Sequence, residues 1–305
     1  MRKTLYLLLL LTALAAPPRG VCAPPPAASW QEAVSPTAHT APQARIVVLD
    51  AESGRILAGR NLPQAARTLA APGSTLKPLA LYSAVESGQW DPARRIACNR
   101  RLAVGGHSLA CTHPAASPFN ASQALTWSCN SYFASLALAL RPADLGRILA
   151  RTGLLGETRL LQDKSTPEAR AEFREPVGPE QQQLALLGVE GIRVTPLELA
   201  AAYRWLAQEI SANPDSSAAK TVASGLADSA SFGMAGQAGL GGVSVAGKTG
   251  TAPEPSSGRT HGWFAGWAPA KKPQVIVVVF VPGGNGAAAA HIAGELLRHA
   301  PLEKP

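Results

Sequence analysis

The sequence predicts a mixed α/β fold of the α+β kind: an antiparallel five-stranded sheet flanked by helices, with a mostly helical subdomain. Three observations carry this. Runs of β-branched residues lie near position 45 and again beyond position 243. Helical periodicity fills the stretch between them. The links joining the last three strand runs are short, which favours antiparallel neighbours. A chain of 305 residues with 46% apolar content can bury a large core. Its 16% charged content is too low for a disordered charged protein or a coiled coil.

Taken in order, Arg45-Ile46-Val47-Val48-Leu49-Asp50 reads as a first strand. Glu52-Ser53-Gly54 has turn chemistry, and Arg55-Ile56-Leu57-Ala58 returns as the second arm of a hairpin. A helix follows Pro72-Gly73 over 74–88, with Leu76, Leu79, Ala80 and Ala84 on one side and Pro78 in its first turn. Residues 100–104 and 107–110 flank Gly105-Gly106 as the arms of a hairpin would. Helices are expected from about Ser122 and over 143–152. Thr195-Pro196-Leu197-Glu198 is a capping box with Pro at the first helical position, opening a helix to about Ile210. Strands over 243–251, 262–268 and 274–281 and a last helix over 287–298 complete the pattern.

The N-terminus reads as an address. Met1-Arg2-Lys3 is basic, residues 5–16 are apolar or near-neutral, and Ala13-Leu14-Ala15 offers small residues for cleavage. Residues 1–16 are therefore expected to be a signal peptide, placing the protein in the periplasm or another extracytoplasmic space, with an uncleaved membrane anchor as the alternative. The run falls short of the about 17–25 residues of a comfortable span. Cys22 follows Arg19-Gly20-Val21, which has neither the apolar residue three positions before the cysteine nor the small residue directly before it that a lipidation site needs. Residues 17–43 are Pro/Ala-rich and read as a flexible linker, leaving 44–305 as the folded domain.

Net charge is +8, yet no basic run interleaves with aromatics, so no nucleic-acid partner is expected. Export favours disulfides, and Cys98 and Cys111 flank the 100–110 hairpin. A bridge between them would close a ring of about 14 residues, worth about 3 kcal/mol, and Cys129 is expected to stay a free thiol. His107 and His113 lie on either side of Cys111, but the spacing matches no familiar four-ligand zinc set. No metal and no cofactor are expected.

Three short motifs carry the chemistry. Ser74-Thr75-Leu76-Lys77 puts a hydroxyl and an amine on one face of a helical turn, where a neutral lysine can activate the serine. Ser128-Cys129-Asn130 offers a hydroxyl to relay a proton and an amide to hold a substrate amide. Lys248-Thr249-Gly250-Thr251 ends a strand with an ammonium and hydroxyls able to grip a carboxylate, while glycine admits a substrate backbone. Each is weak alone, but only eight lysines occur in the chain and two of them sit in these motifs.

Together the motifs resemble the transpeptidase domain of the penicillin-binding proteins, the superfamily shared with the serine β-lactamases. The resemblance spans residues 44–300. It includes the opening hairpin Asp50-Ala51-Glu52-Ser53-Gly54-Arg55-Ile56-Leu57-Ala58, the segment Pro72-Gly73-Ser74-Thr75-Leu76-Lys77-Pro78, and Ser128-Cys129-Asn130-Ser131-Tyr132-Phe133. The helix start Val194-Thr195-Pro196-Leu197-Glu198 and the pair Gly247-Lys248-Thr249-Gly250-Thr251 and His261-Gly262-Trp263-Phe264 complete it. It implies a β-lactamase/transpeptidase-like fold and a serine D,D-transpeptidase acting on peptidoglycan stem peptides, inhibited by β-lactams. Other cell-wall proteins are candidate partners.

By the same resemblance Ser74 is the acylated nucleophile, Lys77 its base, and Ser128 the proton shuttle. Asn130 binds the substrate amide, and Lys248 assists the base. Thr249, Gly250 and Thr251 line the carboxylate subsite, with the N–H groups of Ser74 and Thr251 as the oxyanion hole. D,D-Carboxypeptidase, serine β-lactamase and non-catalytic β-lactam or peptidoglycan sensor are the alternatives. No Glu-x-x-x-Asn pattern occurs between Gly156 and Gly191, where class A β-lactamases carry their deacylating glutamate. Efficient β-lactam hydrolysis is therefore not expected.

Overall fold

A computed structural model describes residues 29–114, 117–161, 166–254 and 258–302. Nine strands occur among them: β1 (Arg45–Asp50), β2 (Ile56–Arg60), β3 (Arg101–Val104), β4 (His107–Ala110), β5 (Glu172–Phe173), β6 (Ile192–Arg193), β7 (Ala246–Pro253), β8 (Thr260–Ala268) and β9 (Val275–Val281). Five form one antiparallel sheet in the order β2-β1-β9-β8-β7. The expected five-stranded sheet is thus present, assembled from strands at both ends of the chain.

Alternation of side chains across the sheet sorts its residues into two cores. Val47, Leu49, Trp263, Trp267, Ile276, Val278 and Phe280 face the larger one, which extends through the helical subdomain. Ile46, Val48, Phe264, Val275, Val277 and Val279 face the other, where Ala289, Ala293, Leu296 and Leu297 of the last helix, Gly286–Arg298, cover them. β9 reads Val-Ile-Val-Val-Val-Phe-Val without polar alternation because helices bury both of its faces.

The hairpin β3–β4 forms around Gly105 and Gly106, both at positive φ, as the two-residue turn requires. Ser74 lies on a 3-10 turn, Gly73–Leu76, that runs into the helix Lys77–Glu86 with Pro78 in its first turn. The capping box at Thr195 opens the helix Pro196–Ala212. Several helices were not evident in the sequence, among them Pro179–Leu186 and Ser217–Ser231. The second buries Ala218, Ala219, Val222, Gly225 and Leu226, a face of mostly small residues that gives little hydrophobic contrast. Smallness is what the packing needs: a Cβ on Gly225 would lie 2.9 Å from Leu125 Cβ and from the Ser122 carbonyl.

The linker expected over 17–43 is corrected from Ser29 onward. Ser29 and Glu32 form a capping box that opens the helix Trp30–Val34, and Val34 is buried in the second core. Anchoring by Val34 outweighs the Pro/Ala-rich composition. The expected signal peptide at 1–16 and the rest of the linker lie outside the described residues. Among the described residues, no helix is long and apolar enough to cross a membrane.

Glu198 ties the helix Pro196–Ala212 to the loop before β5. Its carboxylate accepts from Thr195 N at 2.8 Å, Thr195 Oγ1 at 3.0 Å and Ala171 N at 2.5 Å. Burial pushes its pKa up to about 7 against these hydrogen bonds. Glu198→Ala strands two backbone donors, and a loss of about 2–4 kcal/mol in urea unfolding is expected. Because the folded pKa is raised, the contribution of this carboxyl is complete at acid pH and is lost as pH rises through about 7. The advantage of the natural protein over Glu198→Gln should therefore shrink across that interval.

Candidate active site

The nucleophile turn is held from three sides. Gly73 N donates to Gly188 O at 2.8 Å, Tyr203 Oη to Thr75 O at 2.9 Å, and Trp263 Nε1 to Ala71 O at 2.9 Å. In a 3-10 turn side chains three apart eclipse, so Ser74 and Lys77 share a face. Ser74 is half-buried, whereas Lys77 is fully buried.

Lys77 Nζ donates to Asn130 Oδ1 at 2.7 Å, Ser128 O at 3.0 Å and Ser128 Oγ at 3.2 Å, and lies 5.1 Å from the centre of the Phe133 ring. Burial pulls its pKa down to about 8, partly offset by the neighbouring thiols of Cys111, Cys129 and Cys98. A lysine so shifted has an appreciable neutral fraction near neutrality and can take a proton.

Ser128 bridges the helices Ala121–Thr126 and Asn130–Ala139 at φ +55°, a left-handed conformation unusual for serine. Bonds from Ser128 N to Leu125 O and from Cys129 N to Ala124 O hold the bend. Strain of this kind persists where the surroundings over-determine it. Asn130 adds bonds from Nδ2 to Ala110 O and from its backbone N to Cys111 Sγ, both at 3.1 Å.

Lys248 is fully buried on β7, its Nζ donating to Thr249 O at 3.0 Å. Burial, and then the charge of Lys77, hold its pKa well below the ordinary lysine range. β7 is the sheet edge, and its segment around Gly250 meets the nucleophile turn. A Cβ on Gly250 would sit 2.6 Å from Pro72 O, and one on Gly73 would sit 3.1 Å from Thr251 N. Only glycine permits so close an approach. The geometry therefore brings the Thr251 amide beside the start of the Ser74 turn.

The two threonines differ. Thr251 is exposed, and its Oγ1 accepts from Gly286 N at 2.9 Å. Thr249 is 7% exposed and donates weakly to Met234 O at 3.5 Å. The carboxylate subsite expected from Thr249, Gly250 and Thr251 is thus most open at Thr251. Phe133, from the second-motif segment, lies beneath Lys77, whereas Tyr203 behind Thr75 and Ala110 against Asn130 were not picked out from the sequence, because no local motif ties them to the site. His261 packs against Phe280 with its Nε2 3.6 Å from Glu254 Oε1, and Asn120 caps a helix.

The disulfide expected between Cys98 and Cys111 is corrected. Both are free thiols, as is Cys129. Arg100 stands at φ +61° just before β3, its carbonyl still accepting from Cys111 N at 2.7 Å, and the two sulfurs gather with His113 and Cys129 without being bonded to each other. Cys98 Sγ lies 3.2 Å from His113 Nε2, and Cys111 Sγ accepts from Asn130 N.

The model of the penicillin binding protein transpeptidase domain matches residues 44–300. No curated protein matches the chain. Among solved structures, the D,D-transpeptidase domain of a peptidoglycan glycosyltransferase from Eggerthella lenta is similar at TM-score 0.75 and 21% identity, covering 88% of this chain and 80% of that one. The transpeptidase domain of Burkholderia pseudomallei penicillin-binding protein 3 is similar at TM-score 0.75 and 19% identity, over 88% and 90%. Pseudomonas aeruginosa PBP2, in complex with WCK 5153, is similar at TM-score 0.72 and 20% identity, over 88% and 75%. With the family match spanning nearly all of the folded part and the same fold in these structures, the chain belongs to the penicillin-binding protein transpeptidase family.

Proposed function

We propose that the protein is a serine D,D-transpeptidase that forms an acyl-enzyme with peptidoglycan stem peptides at Ser74 and is acylated there by penicillins. The observation that carries this is Lys77: buried, shifted toward neutrality, and hydrogen-bonded to both polar residues of the second motif. Neutral Lys77 takes the Ser74 proton as Oγ attacks the peptide carbonyl. The N–H groups of Ser74 and Thr251 receive the oxyanion, an interaction of about 3–4 kcal/mol in such sites. Ser128 passes the proton to the departing amine, and the acyl group goes to an acceptor amine. Buried Lys248 helps to keep Lys77 neutral, while Thr249 and Thr251 hold the substrate carboxylate and Asn130 its amide. The enzyme works where peptidoglycan lies, outside the cytoplasm.

Water as acceptor would make the same acyl-enzyme a D,D-carboxypeptidase. Incubation with muropeptides, read by mass spectrometry, separates the two. Cross-linked dimers with released terminal amino acid are expected. Trimmed monomers alone would assign a carboxypeptidase, and no product from a protein that penicillin still labels would assign a sensor.

A further inference from the structure

We propose that Cys98, Cys111, His113 and Cys129 bind one Zn2+ ion, which fixes the second motif of the active site to the β3–β4 hairpin. Their donor atoms all lie within 4.8 Å of one another, and three of the four residues are buried. Zn–S bonds of about 2.3 Å and Zn–N bonds of about 2.0–2.1 Å, arranged tetrahedrally, place donor atoms about 3.4–3.8 Å apart. The Cys98 Sγ–His113 Nε2 pair is already at 3.2 Å. A small adjustment within the cluster therefore completes the polyhedron.

The donor set selects the ion. Three sulfurs and one imidazole, with no carboxylate among them, suit zinc and not magnesium or calcium. Four protein ligands leave no open position, so the site is structural. Three thiolates and Zn2+ leave one negative charge, and the Arg100 guanidinium, which donates to the His113 carbonyl, stands beside it. The Asn130 N–H on Cys111 Sγ is the kind of outer contact that orients a thiolate ligand.

The ligands come from places that the sequence keeps apart. Cys98 precedes β3, Cys111 and His113 follow β4, and Cys129 is the middle residue of the second motif. Metal at this point ties the backbone on both sides of Cys129, where Ser128 holds its left-handed bend and Asn130 reaches Lys77 and Ala110. Zinc binding itself does not depend on the acyl-transfer reading.

The test uses the full chain, purified under reductant, stripped with a chelator and titrated with ZnCl2 or CoCl2. One equivalent of either ion is expected. Cobalt should give a thiolate charge-transfer band with the visible bands of a tetrahedral site. Zinc should protect the peptides carrying Cys98, Cys111 and Cys129 from iodoacetamide, and Cys98→Ser or Cys111→Ser should weaken zinc binding at least about tenfold. Equal alkylation of the three thiols with and without zinc in the unaltered chain, or a Cys98–Cys111 disulfide in the non-reduced peptide map, would overturn the site. Stripped protein should also react with fluorescent penicillin about 10–100-fold more slowly, recovering with zinc, since displacing catalytic groups by about 1 Å has effects of this size. An unchanged rate in stripped protein would overturn the positioning role while the metal titration reports on the site separately.

Discussion

Ser74→Ala is expected to abolish covalent labelling by a fluorescent penicillin, against near-stoichiometric labelling of the unaltered protein in intact-mass spectra. Among the described residues no other hydroxyl combines a place on the 3-10 turn with Lys77 one turn away and the Thr251 amide alongside. Lys77→Met keeps much of the buried volume but removes the base, and acylation should slow by about 10²–10⁴-fold. Thermal melts of both variants separate loss of chemistry from loss of fold. Ser74 is only half-buried and its removal deletes one oxygen, so its melt should stay close to that of the unaltered chain. Labelling that persists in Ser74→Ala would move the nucleophile elsewhere.

Once formed, the penicilloyl adduct on Ser74 is expected to persist for many minutes after free penicillin is removed. Hydrolysis needs a second base that presents water to the acyl carbonyl, and lacking one typically forfeits about 10²–10⁴ in rate. Among the described residues the buried carboxylates are committed elsewhere. Glu198 caps its helix, and Asp144 pairs with Arg141 and Arg147. Glu190, the exposed acid nearest in sequence to Gly188, pairs with His107 at 3.2 Å. With a stem peptide the small leaving group departs and makes room for an acceptor, whereas the tethered leaving group of a β-lactam does not. Mass spectra taken over time after removal of the drug give the lifetime, and disappearance of the adduct within seconds would make the protein a β-lactamase.

What could be read without coordinates was local. The serine–lysine spacing, the Gly105-Gly106 turn, the Thr195–Glu198 capping box and the uninterrupted apolar run of β9 are each set by residues within a few positions of one another. Their backbone preferences act at short range, so sequence patterns reveal them. The helix Ser217–Ser231 escaped notice because its buried face is mostly Ala, Gly and Ser, with only Val222 and Leu226 larger, and such residues pack closely without strong hydrophobic contrast. The helix Trp30–Val34 escaped because proline-rich flanks concealed a single anchoring valine.

The sequence by itself determined the family's motif residues, the antiparallel sheet and the absence of a class A deacylating pattern. Tertiary structure alone decided how those residues meet. Lys77 reaches Ser128 across 51 positions of chain, and its lowered pKa comes from the burial that this contact imposes. Cys98 and Cys111 sit at the right places for a bridge across a hairpin, yet only the fold brings Cys129 and His113 to the same point and sets Asn130 N against Cys111 Sγ. Spacing along a chain constrains how far apart two atoms can be, but desolvation and side-chain direction depend on neighbours supplied by the whole fold.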